Sequence, residues 1–471
     1  MLWELSKFSD KIALSDEFGV AVTYKELEQE GDRISETVES RCLAFILCKN
    51  VIGSVAGYIS FLNAGIVPAL LNAGLERELL DNLLKTYQPK YIWVPKEQAD
   101  DFSGMESIYS SYEYSLLKTN FQTEYPLYPE LGLLLTTSGS TGSPKFVRQS
   151  YCNIKSNAES IVEYLQLDET ERPITTLPMN YTYGLSIINS HLLVGATLLI
   201  TDRTLMQKEF WNFFKEQQAT SFGGVPYTYE MLERLRFFSM ELPSLRTMTQ
   251  AGGKLTPKLH KKFAEFARET ERNFVVMYGQ CEATARMGYL PPDRAVEKCG
   301  SMGIAIPGGK FHLIDADGGT VTEPYMTGEL VYEGPNVTLG YAEQGEDLIK
   351  ADERQGVLET GDMAQFDQDG YYYIVGRKKR FLKIYGNRVN LDEIDRMMKG
   401  KFDHVDCASA GIDDHMYLFV TDSSIAESVK TFVALKTGIN PIAFKVIVIN
   451  EIPKNDAGKT LYKELEKYYE S

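Results

Sequence analysis

The sequence predicts an α/β protein with a large N-terminal domain and a small α+β C-terminal domain. Up to about residue 300, short apolar runs alternate with amphipathic segments. Strands that alternate with helices are typical of mainly parallel sheets covered by helices on both faces. Residues 300–373 differ, because glycine-containing turns recur there at hairpin spacing. This second pattern predicts an antiparallel, barrel-like layer of β-hairpins.

Apolar periodicity locates the individual elements of the large domain. Short apolar runs predict buried strands at residues 91–94, 133–137, 197–200 and 274–277. Helix-like spacing and composition predict helices at residues 153–167, 208–217 and 257–269.

Turn residues and a basic run mark the end of the large domain. The turn signals of the hairpin layer are Gly308–Gly309, Asp317–Gly319, Gly328, Gly334–Pro335 and Asp369–Gly370. Four consecutive basic residues, 377–380, follow this layer and precede a tail of mixed α and β character. We therefore predict two domains, residues 1–376 and residues 377–471.

The charge distribution limits the partners that the protein can bind. The 471 residues carry a net charge of −16, which argues against a nucleic-acid partner and against an anionic membrane surface. Residues 377–471 contain 16 basic and 14 acidic side chains, so the preceding residues carry −18. A tail with this different charge suits a small domain that meets phosphate groups.

Two uncharged stretches, residues 50–75 and 173–201, are long enough to cross a membrane. Each contains proline and asparagine, so we expect buried helices and strands instead, with no membrane insertion. In the first stretch, a helix at residues 51–63 and a strand at residues 66–71 are predicted. Six cysteines without a C-x-x-C pair, and no secretory leader, lead us to expect a cytoplasmic protein with reduced thiols.

Residues 133–145 are the most informative segment. A buried strand ends there in a loop of glycine and hydroxylated residues, which is closed by Pro144 and Lys145. Small side chains let backbone N–H groups approach an anion, and Lys145 adds a point charge that suits phosphate. The spacing does not match a P-loop, which ends in Gly-Lys-Ser/Thr. The segment predicts a polyphosphate cradle, although a flexible connection between elements has the same composition.

Five further segments combine small loops with polar side chains at the ends of predicted elements. They are residues 249–253, 278–284, 360–362, 376–388 and 453–459. Tyr278 offers a ring for stacking, Glu282 a carboxylate for a hard cation, and Asp362 a carboxylate that could accept two hydroxyl groups. Taken singly, each segment is explained better as a common turn or a solvated basic surface than as a binding site.

In this order, and together with the loop at 137–145, the segments resemble the adenylate-forming superfamily. That superfamily includes acyl-CoA synthetases, peptide-synthetase adenylation domains and firefly luciferase. The resemblance extends nearly from end to end, through residues 22–27, 328–341 and 458–459. It implies two helix-covered sheets, a β-barrel-like layer and a small mobile lid that rotates about a hinge at Lys379.

The resemblance also implies the roles of individual residues. The β- and γ-phosphates of ATP would be held by Thr137, Ser138, Gly139, Ser140, Thr141, Gly142 and Lys145. Glu282, with Thr137, would bind Mg²⁺, and Lys459 would bridge the substrate carboxylate and the α-phosphate. The adenine slot would be lined by Gly252, Gly253, Tyr278 and Gly279.

The remaining implied roles concern the ribose, the thiol and the acid. Asp362 would hold the ribose hydroxyls, with Arg377 beside it, and Gly386 would border the thiol tunnel. The acid pocket would include Tyr181, Tyr183 and Gly184.

The implied activity is ATP-dependent activation of a small carboxylic acid to an acyl-adenylate, with release of pyrophosphate. Acyl transfer to coenzyme A, or to the phosphopantetheine arm of an acyl carrier protein, would follow. An amino-acid-adenylating domain and a non-catalytic nucleotide-binding relative remain as alternatives at this point. Cys281 departs from the superfamily pattern, because threonine is common at its position.

The first prediction is that the activated acid lacks an α-amino group. Amino-acid-activating members of the superfamily place an aspartate in the pocket motif, whereas residues 180–183 contain no acidic side chain. An unpaired buried ammonium group would cost on the order of 3–5 kcal/mol. Pyrophosphate exchange with α-amino acids and with simple carboxylic acids checks this, and exchange confined to α-amino acids would contradict it.

Overall fold

The computed structural model describes residues 3–39, 41–136, 145–384, 387–402, 404–454, 458 and 460–469. The chain divides into two compact units. Unit 1 comprises Met1–Lys310 and Tyr332–Leu358, and unit 2 comprises Phe311–Val331 and Glu359–Ser471. Unit 2 thus includes about half of the predicted hairpin layer, residues 311–331 and 359–373, as well as the tail, and the predicted boundary after residue 376 lies within it. A separate lid of residues 377–471 stays a prediction.

The described residues form 27 β-strands. In chain order these are β1 Ile12–Asp16, β2 Ala21–Thr23, β3 Leu43–Cys48, β4 Val67–Asn72, β5 Tyr91–Pro95, β6 Glu106–Ser111, β7 Tyr114–Lys118, β8 Leu131–Thr136, β9 Phe146–Ser150, β10 Pro173–Ile174, β11 Leu198–Ile200, β12 Ser221–Gly224, β13 Thr247–Gln250, β14 Asn273–Tyr278, β15 Gly288–Tyr289, β16 Ile304–Ala305, β17 Lys310–Ile314, β18 Thr320–Val321, β19 Gly328–Glu333, β20 Gly340–Ala342, β21 Val357–Phe366, β22 Tyr372–Arg377, β23 Phe381–Ile384, β24 Asn387–Asn390, β25 Cys407–Ile412, β26 His415–Val420 and β27 Phe444–Val448.

The same residues form 11 α-helices. They are α1 Tyr24–Thr37, α2 Ile52–Asn63, α3 Arg77–Tyr87, α4 Tyr151–Leu165, α5 Thr182–Leu193, α6 Lys208–Glu216, α7 Pro226–Arg234, α8 Pro257–Glu269, α9 Leu391–Lys401, α10 Ala426–Thr437 and α11 Tyr462–Leu465. Short 3₁₀ turns connect several of these elements.

Unit 1 contains the two mainly parallel sheets that were predicted. The nine-stranded sheet has the order β16-β15-β14-β13-β12-β10-β11-β1-β2, and all pairs from β14 to β1 are parallel. The eight-stranded sheet has the order β20-β9-β8-β4-β3-β5-β7-β6, with parallel pairing among β8, β4, β3 and β5. Antiparallel strands therefore lie only at the ends of both sheets. The largest core cluster joins residues of both sheets to α2 and α5.

Local signals account for the agreement between several predicted and observed helix ends. The α8 helix has the predicted bounds, because Thr256 caps its N-terminus and Pro257 occupies the first turn. Thr23 and Glu26 form a reciprocal capping box at the start of α1. The uncharged residues 50–75 form the buried helix α2 and strand β4, close to the predicted positions. Among the described residues, no helix is long and apolar enough to cross a membrane.

Unit 2 is built from smaller sheets that contain antiparallel pairs, although β26 and β27 pair in parallel. Its five-stranded sheet has the order β18-β17-β19-β21-β22, with hairpin turns at two of the predicted sites, 317–319 and 369–370. Gly334–Pro335 does not join a hairpin, because β20 pairs with β9 in the eight-stranded sheet. A two-stranded ribbon, β23-β24, and a three-stranded sheet, β25-β26-β27, follow with α9 and α10.

Two helical glycines offer a test of core packing in α2. A Cβ on Gly57 would overlap the indole ring of Trp93, with Cδ1 at 2.6 Å, whereas a Cβ on Gly400 in α9 would meet nothing within 4 Å. We predict that Gly57→Ala lowers the free energy of unfolding by about 1–3 kcal/mol, because overpacking outweighs the gain in helix propensity. Gly400→Ala should raise it by up to about 1 kcal/mol. Chemical denaturation measures the free energy of unfolding of both variants. Equal changes in the two variants would contradict the predicted overlap between a Cβ at position 57 and the Trp93 ring.

Candidate active site

The predicted site residues are divided between the two units. Unit 1 contains Lys145, Tyr181, Tyr183, Gly184, Gly252, Gly253, Tyr278, Gly279 and Glu282, and unit 2 contains Asp362, Arg377 and Lys379. Several of the predicted residues lie outside the described residues: Thr137, Ser138, Gly139, Ser140, Thr141, Gly142, Gly386 and Lys459. The roles implied for these residues stay predictions.

A tight loop between β14 and β15 carries Glu282. The two strands pair antiparallel, and the Met287 N–H donates to the Tyr278 carbonyl at 2.9 Å, which closes the loop. Gly279 is required by this closure, because a Cβ there would overlap the Ala285 carbonyl. Such close approach of two backbone segments is a recurrent use of glycine.

Thr284, at the centre of the same loop, has a strained backbone. Its φ of 65° and ψ of −38° form a γ-turn, in which the Ala285 N–H donates to the Ala283 carbonyl at 2.7 Å. This form of γ-turn is rare and costly for a residue with a side chain. Hydrogen bonds hold the turn, because the Thr182 hydroxyl donates to the Thr284 carbonyl and the Thr284 hydroxyl donates to the Asn336 carbonyl.

Neighbouring polar groups fix the backbone of Glu282. Its carbonyl accepts hydrogen bonds from the Thr338 N–H at 3.0 Å, the Thr338 hydroxyl at 2.9 Å and Arg354 Nη1 at 3.1 Å. The Asn336 side-chain amide binds the carbonyls of Ala283 and Arg286 at 2.9 and 3.0 Å. The carbonyls around the carboxylate are therefore satisfied, and the loop is rigidly supported.

Tyr341 joins Glu282 to Lys145. The Tyr341 hydroxyl donates to Oε1 of Glu282 at 2.7 Å. Its ring lies between two cations, with Lys145 Nζ at 3.5 Å and the Arg354 guanidinium carbon at 4.7 Å from the ring centre. Burial, together with the negative charge of Glu282, raises the pKa of Tyr341, so the phenol remains a hydrogen-bond donor. The predicted phosphate-binding lysine and the predicted metal-binding carboxylate thus converge on one side chain.

Strand pairing and a buried arginine fix the position of Tyr341. β20 pairs antiparallel with β9, with Tyr341 opposite Val147. Arg148, whose side chain is fully buried, donates to the Tyr341 carbonyl at 3.0 Å and forms an ion pair with Glu353. Gly340 has a φ of 122°, and a Cβ there would approach Arg148 Nη2 to 3.1 Å. Glycine is therefore required where the chain passes this guanidinium.

The segment predicted to form the acid pocket lies at the start of α5. Tyr183 is buried, its hydroxyl bonds the Thr249 hydroxyl at 2.7 Å, and burial raises its pKa to about 12. A Cβ on Gly184 would overlap the Pro178 carbonyl, so glycine lets α5 begin against this loop. Tyr183 packs with Leu177, Val225, Ala251, Val275 and Met277 in an apolar cluster, which we call the pocket cluster.

The space beside Gly252 and Gly253 is occupied by side chains of the protein. A Cβ on Gly252 would lie 2.7 Å from the Tyr181 hydroxyl, and one on Gly253 would lie 3.0 Å from Pro226 Cγ. The glycines therefore admit Tyr181 and Pro226 in the described arrangement. The Tyr278 hydroxyl accepts a hydrogen bond from Gln280 Nε2 at 3.2 Å. The assignment of these residues to adenine stays a prediction.

Glu282 fits a Mg²⁺ ligand whose other ligands come from a nucleotide. Its Oε2 accepts no hydrogen bond from a described residue, while Tyr341 orients the carboxylate through Oε1. Within the described ranges, no group of three or more His, Cys, Asp or Glu side chains could hold a metal. Mg²⁺ commonly binds one or two carboxylates together with substrate phosphates, so a single supported glutamate is sufficient on the protein side.

In unit 2, Asp362 and Arg377 face each other across β21 and β22. They are partners in the strand register, and Arg377 Nε lies 3.3 Å from Asp362 Oδ1. Asp362 is buried, whereas 67% of the Arg377 side chain is exposed. The Asp362 N–H donates to the Thr360 hydroxyl at 3.1 Å, next to a left-handed Gly361.

Lys379 lies between two anchored basic residues. Lys378 Nζ is 2.6 Å from Glu329 Oε2 in β19, and this hydrogen bond raises the pKa of Lys378. Arg380 is buried and donates to Asp392 at 2.7 Å and to Asp395 at 2.8 Å. The explanation of the basic run as a solvated surface therefore does not hold for Arg380, whose buried charge is compensated by two carboxylates.

Sequence reasoning missed the residues that support Glu282. Tyr341 was recognised only as part of a resembling segment, and Thr338, Asn336 and Arg354 were not recognised at all. These residues lie more than fifty positions from Glu282, and nothing in their local sequence points to it. Within residues 336–342, Gly340 has a positive φ, and a glycine at this position is the local signal that the sequence offers.

The sequence of the chain is similar to one protein family and to several known proteins. A family model described as AMP-binding enzyme matches residues 2–342. An oxalate–CoA ligase from Arabidopsis thaliana is 28% identical over 353 residues, which are 72% of this chain and 67% of that protein. A 2-succinylbenzoate–CoA ligase from Geobacillus sp. is 26% identical over 436 residues, 90% of this chain and 86% of that protein. A peroxisomal OPC-8:0-CoA ligase from Arabidopsis thaliana is matched over 63% of its own length, at 29% identity.

Solved structures share the fold over nearly the whole chain. O-succinylbenzoate coenzyme A synthetase from Bacillus subtilis, in complex with AMP, has a TM-score of 0.79 at 23% identity, covering 99% of this chain and 97% of that one. ATP-bound MatB from Rhodopseudomonas palustris has a TM-score of 0.77 at 20% identity, covering 100% and 98%. The mixed α/β architecture with a small C-terminal α+β region is thereby confirmed.

The Tyr341 hydroxyl provides a test of the site in unit 1. We predict that Tyr341→Phe weakens Mg²⁺ binding in the presence of ATP about 10-fold, because groups that orient a metal ligand contribute 10–100-fold to metal affinity. Titration of Mg²⁺ at fixed ATP, followed by calorimetry, measures the change. Tyr87→Phe is the matched control, since the buried Tyr87 hydroxyl donates to the Ala342 carbonyl in the same strand. Equal Mg²⁺ affinity in both variants would contradict an orienting role for Tyr341.

Proposed function

The chain belongs to the AMP-binding enzyme family, and we propose that it is an AMP-forming acid–CoA ligase. It activates a small carboxylic acid with ATP, releases pyrophosphate, and transfers the acyl group to the thiol of coenzyme A with release of AMP. The observation that carries the proposal is the convergence of Lys145 and Glu282 on Tyr341. Binding of a polyphosphate substrate requires a cation and a metal-binding carboxylate that lie close together.

The first half-reaction brings two anions together. A substrate carboxylate oxygen attacks the α-phosphorus of ATP, and the bond to the pyrophosphate leaving group breaks. Lys145 would bind the phosphates, with the loop at 137–142, and Lys459 would pair with the attacking carboxylate. Mg²⁺ held by Glu282 would neutralise phosphate charge when bound. The Tyr341 hydroxyl keeps Oε1 of Glu282 oriented, and Lys145 lies over the ring of the same tyrosine, 3.7 Å from Oε1 of Glu343.

Residues of unit 2 fit the roles implied for the ribose and the second half-reaction. The buried Asp362 carboxylate could accept both ribose hydroxyls, and Arg377, which is paired with Asp362 and 67% exposed, would lie beside the ribose. In the second half-reaction the thiol attacks the acyl carbon of the adenylate, and AMP leaves. Rotation of the small C-terminal domain about Lys379 would move Lys459 away from the adenylate and bring the thiol tunnel near Gly386 to it. The anchors at Lys378 and Arg380 support a pivot confined to the residue between them.

The names of the relatives support a carboxylic acid and coenzyme A as substrates. The proteins named for oxalate, for 2-succinylbenzoate and for OPC-8:0 are all CoA ligases. A structural neighbour was solved with a coenzyme A product analogue. An acyl carrier protein is the alternative acceptor, and the cytoplasmic location remains an expectation.

Two assays test the proposed function. Acid-dependent exchange of pyrophosphate into ATP reports the first half-reaction, and AMP release with thioester formation reports the second. Coenzyme A and a phosphopantetheine-loaded carrier protein are compared as acceptors with each acid that supports exchange. We expect exchange with simple carboxylic acids and thioester formation with coenzyme A. Tight ATP binding without exchange for any carboxylic or amino acid would instead identify a non-catalytic nucleotide-binding protein.

The hinge gives a further prediction. Proline at position 379 fixes φ and restricts the preceding residue, so Lys379→Pro should retain at least one half-reaction but lose the complete cycle at least about 100-fold. Lys379→Ala removes the charge, keeps backbone freedom, and should retain both half-reactions. Pyrophosphate exchange and overall thioester formation are measured on each folded variant. A fully active proline variant would show that the pivot lies elsewhere.

A further inference from the structure

Arg286 is a buried cation at the end of the loop that carries Glu282. Only 2% of its surface is exposed. Its guanidinium donates to the Ser186 hydroxyl at 3.1 Å, the Tyr164 hydroxyl at 3.0 Å and the Met277 sulfur at 3.3 Å. All three acceptors are neutral, and Nη2 makes no hydrogen bond to a described residue.

The other buried arginines of the described chain are compensated differently. Arg148 forms an ion pair with Glu353, and Arg380 forms ion pairs with Asp392 and Asp395. No carboxylate of a described residue lies within 4.0 Å of the Arg286 guanidinium. A buried charge is normally paired, because taking it out of water is costly unless an opposite charge or several strong acceptors replace the solvent.

The position of Arg286 connects it to the predicted acid pocket. Its guanidinium carbon lies 5.3 Å from the centre of the Tyr183 ring. Tyr183 and Met277, which both contact Arg286, belong to the pocket cluster. The cation thus lies beside an apolar cluster that contains Tyr183, one of the residues predicted to line the acid pocket. Apolar surroundings strengthen the attraction between this cation and an anionic group, because they lower the local dielectric constant.

We propose that Arg286 binds a second carboxylate of the substrate, so that the enzyme selects dicarboxylic over monocarboxylic acids. This inference rests on the proposed function and on the assignment of the pocket cluster to the acid. One carboxylate is activated by ATP, and the other remains ionised and accepts hydrogen bonds from the guanidinium. A planar guanidinium with an unused Nη2 is well suited to such a carboxylate. A monocarboxylic acid of the same length would leave the buried charge unpaired.

Substrate pairs test the inference directly in the unmodified enzyme. Pyrophosphate exchange is measured with straight-chain dicarboxylic acids of increasing length and with monocarboxylic acids of matching length. We expect the best dicarboxylic acid to exceed its monocarboxylic partner in kcat/KM by at least about 100-fold, because a site with a buried polar group rejects an analogue that cannot pair it. Equal use of both classes overturns the role of Arg286 while the proposed function stands. Exchange with no acid of either class overturns the proposed function itself.

Two variants assign the selectivity to the cation. Arg286→Met retains the length of the side chain and removes its charge, and we expect the ratio of dicarboxylic to monocarboxylic kcat/KM to fall to about one or below. Arg286→Lys retains a cation and should recover part of the ratio. A purely structural role would lower both activities together and leave the ratio unchanged, and that result would overturn the inference. If Arg286→Met does not fold, the unmodified enzyme and Arg286→Lys still decide it.

Discussion

The hydrogen bond from the Tyr341 hydroxyl to the Glu282 carboxylate is the interaction on which the site in unit 1 depends. It connects a strand at the edge of the eight-stranded sheet to a loop at the end of the nine-stranded sheet. The ring of the same tyrosine lies against Lys145, so the cation and the carboxylate are placed by one side chain. Because two separate sheets must meet at this point, the site requires the complete packing of unit 1 and cannot form from either sheet alone.

Arg148 explains how the edge of that sheet is kept in place. Its fully buried side chain donates to backbone carbonyls at Leu339 and Tyr341 and pairs with Glu353. The segment that carries Tyr341 is thereby tied to β9 by side-chain as well as strand hydrogen bonds. Removing one partner of a buried charged pair costs several kcal/mol, about 3–5. The stability of this edge and the geometry of the site are therefore linked.

Sequence periodicity identified the elements well, but it could not identify most of their contacts. The helix at 257–269 and the strands near 91–94 and 274–277 carry local signals, namely caps and apolar runs, and were found within one or two residues. Glu282 was predicted to bind Mg²⁺ because its loop resembles a known segment, and that role stays a prediction. Tyr341 and Arg286 were not assigned a role, since their significance comes from partners 59 and about 100 residues away. The position of the Tyr181 hydroxyl, 2.7 Å from where a Cβ on Gly252 would lie, is likewise a long-range contact that no local pattern reveals, and the adenine role of Gly252 stays a prediction.

The γ-turn at Thr284 has a consequence for the way in which the enzyme distinguishes its substrates. It lies between Glu282 and Arg286, and its hydrogen bonds to Thr182 and Asn336 leave the turn little freedom. A displacement of the Arg286 end is therefore transmitted to the Glu282 end through a stiff connection. Under the proposed roles of Arg286 and Glu282, an acid that leaves Arg286 unpaired would disturb the alignment of the reacting phosphate as well as its own binding. Discrimination of this kind is expressed in the rate of turnover, so a poor substrate could saturate the enzyme and still react slowly.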